Sequence, residues 1–215
     1  PITPWVSGPE SRSPRTNNRM QVTVAELIAQ YLQRLGIDVI FGMPGAHVLP
    51  LYDAFYRAPV RSVLAKHEQG AAFMAEVYGR LTGNPAGALG TLGPGATNLI
   101  TGIADAQIDS TPVVCITGQV GSHLLGSDAF QETDIVSIST PATKWNYQIT
   151  RAEEIPEIFA KAFYIAKSGR PGPVLIDITK DAQFGELEFE YEKCMKVRSY
   201  TPVPSTDPES LIQAA

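Results

Sequence analysis

The sequence predicts an α/β domain built on an open parallel sheet of about six strands with helices on both faces. Short apolar runs of strand length alternate along the chain with longer segments whose apolar residues recur at helical spacing. Glycine-rich turns follow several of these runs, at the point where a strand ends and a helix begins. Regular alternation of this kind indicates parallel strands joined by crossover helices.

The first predicted element is a helix that begins at Thr23 and ends at Gly36. Thr23 is a suitable N-cap because Glu26 follows three residues later, and Gly36 suits the C-terminal cap. A strand over residues 39–41 follows directly. A glycine–proline turn then separates this strand from an amphipathic helix over residues 46–56.

The same strand–helix unit recurs through the rest of the domain. The remaining predicted elements are, in order, strand 62–65, helix 69–81, strand 86–91, helix 96–107, strand 112–118, polar loop 119–129, short helix 132–138, strand 144–148, helix 153–167 and strand 174–178. Together with the strand at 39–41, these runs supply the strands of the expected sheet.

We expect three regions along the chain: a disordered leader at 1–20, the α/β domain at 21–182, and a linker toward a missing middle domain at 183–215. The leader is rich in proline, arginine and serine and lacks the apolar core of a signal peptide. Met20 is the expected native start, and an organelle-targeting remnant is the alternative for the residues before it. The linker is polar, and its last residues predict a helix that has barely begun.

Composition restricts the class of partner. The 215 residues are 44% hydrophobic and 18% charged, and the formal net charge is -5 without long charged runs. This balance argues against nucleic acid and membrane surfaces as partners, so small molecules remain. Cys115 and Cys194 are expected to be unpaired thiols in a reducing compartment, which favours the cytoplasm.

Glu68 is the most informative single residue, because an apolar strand delivers its carboxylate to the start of a helix. Ligands bind at this edge of open α/β sheets. The pattern alone favours a plainer explanation, an acid stabilised by the helix dipole. The neighbouring His67 is expected to be structural, and the spacing of the histidines at 47, 67 and 123 gives no reason to assign a metal.

Four motifs occur in a fixed order along the chain: KHEQGAA at 66–72, GPGATN at 93–98, GSDAFQE at 126–132 and SGRPGPVLID at 168–177. Together they resemble the pyrimidine-binding domain of thiamine-diphosphate enzymes, and among these most closely acetohydroxyacid synthase. The resemblance extends in order from about residue 21 to residue 180. Taken by itself, the glycine-rich second motif is a weak phosphate-binding signal, because it lacks the third glycine of a dinucleotide loop.

The resemblance implies a role for each matching residue. The glutamate matching Glu68 hydrogen-bonds N1′ of the cofactor's aminopyrimidine, so that the cofactor becomes its own base. The residues implied to bind thiamine diphosphate are Met43, Pro44, Gly45, Pro94, Asn98 and Gln131. Those implied to face the substrate are Ala46, His47, Phe130 and Lys180.

The resemblance also implies partners that this chain does not supply. The substrates are pyruvate and a second 2-keto acid, in the biosynthesis of branched-chain amino acids, and the assembly is an obligate homodimer with a possible regulatory subunit. The chain has no Gly-Asp-Gly motif with a downstream asparagine, so Mg2+ and the cofactor diphosphate are expected to be held elsewhere, as is FAD. The fragment alone is therefore expected to be inactive.

Two alternatives remain open. Anabolic enzymes of the family usually read Pro-Gly-Gly-Ala where this chain reads Pro44-Gly45-Ala46-His47, which resembles flavin-free catabolic acetolactate synthases and related carboligases or decarboxylases. Phe130 and Gln131, in contrast, favour the anabolic type. The other alternative is a non-catalytic ligand-binding or subunit-interaction domain, against which Glu68 argues.

Overall fold

A computed structural model describes residues 21–188, 194, 196–198, 200–203 and 207–214. In chain order the elements are β1 (Gln21–Thr23), α1 (Val24–Arg34), β2 (Val39–Gly42), α2 (Leu49–Arg57), β3 (Arg61–Leu64), α3 (Glu68–Thr82), β4 (Ala86–Gly90), α4 (Pro94–Thr97), α5 (Ile100–Ile108), β5 (Val113–Gln119), α6 (Ile135–Ser139), β6 (Trp145–Ile149), α7 (Ile155–Lys167), β7 (Val174–Thr179), α8 (Lys180–Phe184), β8 (Glu186–Glu188) and α9 (Pro208–Ala214). The leader expected at 1–20 lies outside the described residues.

The main sheet has six parallel strands in the order β3-β2-β4-β5-β7-β6. This confirms the predicted α/β class. Strands β4, β5 and β7 are buried along their whole length, whereas the edge strand β3 is largely exposed. Burial on both faces explains why the central strands read as continuous apolar runs.

Helices cover both faces of the sheet, so the domain has two hydrophobic cores. One core contains the apolar sides of α1, α2 and α7, where the rings of Tyr31 and Phe159 lie 6.3 Å apart. The other core lies under α3 and α5, where Gly102 of α5 packs directly against Ala72 of α3. Small side chains at this contact allow the two helices to approach closely.

The strand order creates a switch point between β2 and β4. From β2 the chain crosses to β3 on one side, and then returns to β4 and β5 on the other side. The loops that leave the carboxyl ends of β2 and β4 therefore diverge and leave a crevice between them. In open α/β sheets, a crevice of this kind is where ligands bind.

Three predicted helices differ from the observed ones, and the short helix expected over 132–138 begins only at Ile135. The helix expected over 46–56 begins only at Leu49, because a turn forms first, in which the Val48 N–H donates to the Gly45 carbonyl at 3.0 Å. The helix expected over 96–107 is divided into α4 and α5. Asn98 lies at the division, where the Leu99 N–H bonds three residues back, to Ala96, at 3.2 Å.

A two-stranded antiparallel sheet, β1 with β8, lies beside the main sheet and was not predicted. Residue 21 pairs with residue 188, and the Val24 N–H donates to the Gly185 carbonyl at 2.9 Å. Part of the region expected to be an irregular linker thus pairs with the start of the domain. The short helix expected near the last residues is present as α9. No helix among the described residues combines the length and the apolar character needed to cross a membrane.

Candidate functional site

Glu68 is the first residue of α3 and lies at the carboxyl edge of the sheet, next to the switch point. Its side chain is buried, with 6% of the residue exposed. The helix N-terminus stabilises a negative charge at this position. His67 is the N-cap, and its Nδ1 accepts a hydrogen bond from the Gln69 N–H at 3.2 Å, which agrees with the structural role expected for this histidine.

Asn98 holds one oxygen of this carboxylate. Its Nδ2 donates to Glu68 Oε2 at 3.0 Å. The division between α4 and α5 places Asn98 opposite the start of α3, so the break in the predicted helix has a direct effect on the site. Because a buried carboxylate needs hydrogen bonds to offset its lost hydration, Asn98 is a necessary partner for Glu68.

Thr91 is wedged between the glycine turns that follow β2 and β4. A Cβ atom at Gly45 would lie 2.6 Å from Thr91 Cβ, and one at Gly95 would lie 2.6 Å from Thr91 Cγ2 and 3.1 Å from Glu68 Oε1. Only glycine fits at both positions. The turn at 42–45 contains Met43, Pro44 and Gly45, which the resemblance implies to bind the cofactor, and this packing fixes it beside Glu68.

Tyr52 of α2 reaches the same region and was not predicted. A Cβ atom at Gly42 would lie 2.5 Å from the Tyr52 hydroxyl oxygen. Burial, and then the negative charge of Glu68, raise the pKa of Tyr52 well above its usual value. The hydroxyl groups of Tyr52 and Thr91 are buried and have no hydrogen-bond partner among the described residues. Two buried hydroxyl groups without a hydrogen-bond partner among the described residues therefore lie near the Glu68 carboxylate.

Ala46, His47 and Lys180 form a second group, on the α2 and α8 side of the crevice. Burial, and then the positive charge of Lys180, lower the pKa of His47. The His47 carbonyl accepts a hydrogen bond from Gln183 Nε2 at 2.9 Å. Ala46 and Lys180 line a groove of about 450 Å³ together with Leu49 and Phe184. The structure therefore brings together three of the four residues expected to face the substrate.

Phe130, the fourth, and Gln131 lie in a loop over residues 126–133, after β5. The Glu132 carboxylate closes this loop by accepting hydrogen bonds from the Gly126 and Ala129 N–H groups, the latter at 3.0 Å. These bonds lower the pKa of Glu132. Gln131 has a φ of 59°, and its carbonyl oxygen would lie 2.4 Å from a Cβ atom at Gly93. The loop thus rests directly on the turn before α4.

Several of the expected ligand-binding side chains are exposed. Phe130 is 84% exposed and Met43 is 38% exposed. Pro44 and Pro94 are exposed as well. These apolar side chains are therefore accessible at the surface, whereas Glu68 is buried.

The described residues contain one group of three carboxylates close enough to share an ion: Glu76, Asp105 and Asp109, whose ligand atoms lie within 4.8 Å of one another. Arg80 forms ion pairs with Glu76, at 2.5 Å, and with Asp109. The arginine neutralises much of this negative charge, so we assign no ion to the group.

Sequence reasoning missed Tyr52, Thr91 and Gln183. The signal for Thr91 was available, because a β-branched polar residue stands between two glycine turns. Tyr52 follows the apolar pattern of α2, in which an aromatic residue indicates core packing. Gln183 gave no signal, because its contact to His47 depends on how α8 packs against the loop before α2.

Comparison with known proteins identifies the family. Residues 22–138 match the family described as thiamine pyrophosphate enzyme, N-terminal TPP binding domain. The acetolactate synthase isozyme 1 large subunit of Escherichia coli is 47% identical over 201 residues, which cover 93% of this chain and 35% of that protein.

Two further relatives have similar names. The acetolactate synthase large subunit of Corynebacterium glutamicum is 49% identical, over 90% of this chain and 31% of that protein. The probable acetolactate synthase large subunit of Methanocaldococcus jannaschii is 51% identical, over 77% of this chain and 28% of that protein. The chain thus spans about a third of the length of these relatives. The match confirms the resemblance drawn from the four motifs, and the chain belongs to the thiamine pyrophosphate enzyme family as an N-terminal TPP binding domain.

Proposed function

We propose that this chain is the pyrimidine-binding domain of an acetolactate synthase, which condenses pyruvate with a second 2-keto acid and releases carbon dioxide. The observation that carries the proposal is the buried Glu68 carboxylate at the switch point, with Oε2 held by Asn98 at 3.0 Å. Identities of 47% to 51% with acetolactate synthases support this reaction class.

The residues present fit an aminopyrimidine. A buried carboxylate with one oxygen bound to an amide requires a further polar partner for its other oxygen. A ring nitrogen of an aminopyrimidine is such a partner, and the unpartnered hydroxyls of Tyr52 and Thr91 can meet other polar atoms of a ligand. When bound, thiamine diphosphate supplies the stabilisation of a carbanion on the substrate carbon.

Glu68 acts as the acid–base residue, and Asn98 decides which of its oxygens does so. The Asn98 amide donates to Oε2, which is thereby an acceptor, so that Oε1 is the atom that gives or takes a proton. Gly95 leaves the space beside Oε1 free of a side chain. Burial excludes water from this proton transfer.

The other proposed roles follow the two groups in the crevice. Met43, Pro44, Gly45, Pro94, Asn98 and Gln131 bind the cofactor. Ala46, His47, Phe130 and Lys180 face the substrate, and the cationic Lys180 suits a carboxylate of a 2-keto acid. His47 is neutral at pH 7, because burial and Lys180 both lower its pKa.

We further propose that the domain works within a longer polypeptide, since the relatives are about three times its length. Mg2+, the cofactor diphosphate and FAD are held by other parts of that protein. The active form is a homodimer or a larger homo-oligomer in the cytoplasm, and the pathway is branched-chain amino acid biosynthesis. A regulatory subunit is a further proposed partner.

Glu68→Gln in the full-length protein tests the proposal. An amide cannot take part in the proton transfer, so we expect a loss in kcat of about 100-fold to 10,000-fold. Circular dichroism and urea unfolding should match the wild type. Glu153→Gln, at an exposed position outside the crevice, is the matched control and should keep full activity. A fully active Glu68→Gln enzyme would overturn the assigned role.

Ala46 and His47 favour a second candidate, a catabolic acetolactate synthase without flavin, because the sequence departs there from the anabolic pattern. The two candidates differ in their second substrate. Product formation from pyruvate, with and without 2-ketobutyrate, should be measured on purified protein of known flavin content. A flavin-free enzyme that ignores 2-ketobutyrate would replace the first candidate with the second.

A further inference from the structure

Asp177 is a fully buried carboxylate on β7, the strand next to the edge strand β6 of the main sheet. It lies on β7 and pairs in register with Thr117 of β5 and Gln148 of β6. Its oxygens accept three hydrogen bonds: from Thr117 Oγ1 at 2.7 Å, from Gln148 Nε2 at 2.9 Å and from Gln119 Nε2 at 3.2 Å. An apolar residue would fill this position at a lower desolvation cost, so the carboxylate needs a reason of its own.

Gln119 connects this carboxylate to the loop over residues 126–133. Its Nε2 donates to the Thr133 carbonyl at 2.9 Å as well as to Asp177, and its Oε1 accepts from the Val120 N–H at 2.9 Å. Rotating the amide by half a turn would break all three bonds. The position of the Gln119 side chain is therefore fixed by Asp177 on one side and by the loop on the other.

The Thr133 carbonyl accepts two hydrogen bonds, from Gln119 and from the Ile135 N–H at 2.8 Å, and only the Gln119 bond connects it to β5. The closure of the loop itself comes from the Glu132 carboxylate, which bonds to N–H groups of the same loop. Closure of this kind sets the shape of the loop but does not attach it to the sheet. The Gln119 bond to the Thr133 carbonyl attaches one end, and the contact between Gln131 and Gly93 supports the middle.

We propose that Asp177 is a positioning residue: through Gln119 it fixes the Thr133 carbonyl, and with it the loop that presents Phe130 and Gln131 to the crevice. What the loop binds rests on the proposed function, whereas the attachment of the loop to Asp177 through Gln119 does not. Burial raises the pKa of Asp177 to about 6, so the carboxylate is charged at pH 7 and makes strong, charge-assisted bonds to both amides.

Asp177→Asn in the full-length protein tests the proposal. The asparagine carbonyl can still face the two glutamine amides while its NH2 group faces the Thr117 hydroxyl, so Gln119 keeps an acceptor but loses the negative charge that strengthens the bond. Without cofactor, we expect the amides of Gly126, Ala129 and Glu132 to exchange hydrogen about tenfold to 100-fold faster. With cofactor, we expect KM for pyruvate and Kd for thiamine diphosphate to rise about tenfold.

Thr117→Val is the matched control, because it removes a donor from the same carboxylate and leaves Gln119 untouched. It should lower stability while loop exchange stays at the wild-type rate. Gln119→Met removes the connection and leaves Asp177 its charge and its bonds to Thr117 and Gln148, and it should speed loop exchange as Asp177→Asn does. This variant decides the question if Asp177→Asn does not fold.

Equal loop exchange in Asp177→Asn and Thr117→Val, or unchanged loop exchange in Gln119→Met, would overturn the positioning role. The exchange measurement needs neither cofactor nor substrate. A wild-type protein that fails to bind thiamine diphosphate would therefore overturn the proposed function, while the exchange rates would still decide the role of Asp177.

Discussion

At the scale of single residues, Gly95 illustrates how tightly the site is packed. A methyl group there would lie 2.6 Å from Thr91 Cγ2 and 3.1 Å from Glu68 Oε1. Thr91 cannot move away, because its other side touches Gly45. The β-branched side chain also has few alternative rotamers. Residue 95 therefore has no room for a side chain, because even a methyl group would press on Thr91 and Glu68.

Gly95→Ala should destabilise the protein by about 1 to 3 kcal/mol, the usual cost of overpacking a rigid region. Urea unfolding monitored by circular dichroism measures this change. Gly70→Ala is the matched control, because a Cβ atom there has no atom within 4 Å. Gly70 lies in α3, so alanine should stabilise by up to about 1 kcal/mol. Equal effects of the two substitutions would contradict the packing argument.

Asp177 makes stability depend on pH in the direction opposite to that of an ordinary surface acid. Its folded-state pKa of about 6 lies above the unfolded value of 3.8, so the folded state binds the proton more tightly. The stability that this group contributes is present below pH 3.8 and is lost as the pH rises through about 6. The Thr117 hydroxyl can rotate to accept the added proton.

We expect the free energy of unfolding of the wild type, relative to Asp177→Asn, to fall by about 2 kcal/mol between pH 4.5 and pH 7. Urea titrations of both proteins at the two pH values measure this difference, and the variant removes the contribution of all other groups. A difference that stays constant or grows with pH would show that burial does not raise this pKa.

Glu68 and Asn98 could be predicted from the sequence as site residues. Both belong to the motifs that occur in a fixed order along the chain, and Glu68 also follows an apolar strand. Their hydrogen bond was not, since it depends on where α4 ends. Tyr52 and Asp177 were missed for a related reason. Each lies in a segment whose apolar pattern is correct for its element, so the pattern gave no sign of a polar contact.

At the scale of elements, Thr23 has two functions at once, as the last residue of β1 and as the N-cap of α1. Its Oγ1 accepts from the Glu26 N–H at 3.3 Å, and its own N–H donates to Glu26 Oε2 at 3.2 Å. This capping box was predicted from the spacing of the two residues and is confirmed.

Thr23→Ala should lower the free energy of unfolding by about 1 kcal/mol, because the first turn of α1 loses its side-chain acceptor. Thermal or urea unfolding measures the loss. Thr23→Ser keeps the hydroxyl and should stay close to the wild type. If serine were as destabilising as alanine, the methyl group of Thr23 rather than the cap would account for the effect.

Element types were predicted better than element ends, and the reason is physical. Helical and strand periodicity come from local burial, which the sequence records. The start of α2 and the division between α4 and α5 are set by glycine turns and by Asn98, which bond to distant parts of the chain. β8 is short, and it is a strand only because β1 lies beside it.

At the scale of the whole molecule, the parallel sheet was predictable but its strand order was not. Alternating strands and helices indicate crossover connections, and those connections require parallel strands. The order β3-β2-β4-β5-β7-β6 depends on which helix covers which face. The two cores differ in composition accordingly: the core on one face has larger aliphatic and aromatic residues, and the core on the other face has more alanine.

The pairing of β1 with β8 brings the first and last strands of the described domain together. Residue 21 lies directly opposite residue 188, so these two strands meet at the same place. A short peptide could join these positions, and the chain could be opened instead at the exposed Gly83, where a φ of 68° marks a tight turn between α3 and β4. The resulting circularly permuted protein would preserve every strand pair of the main sheet.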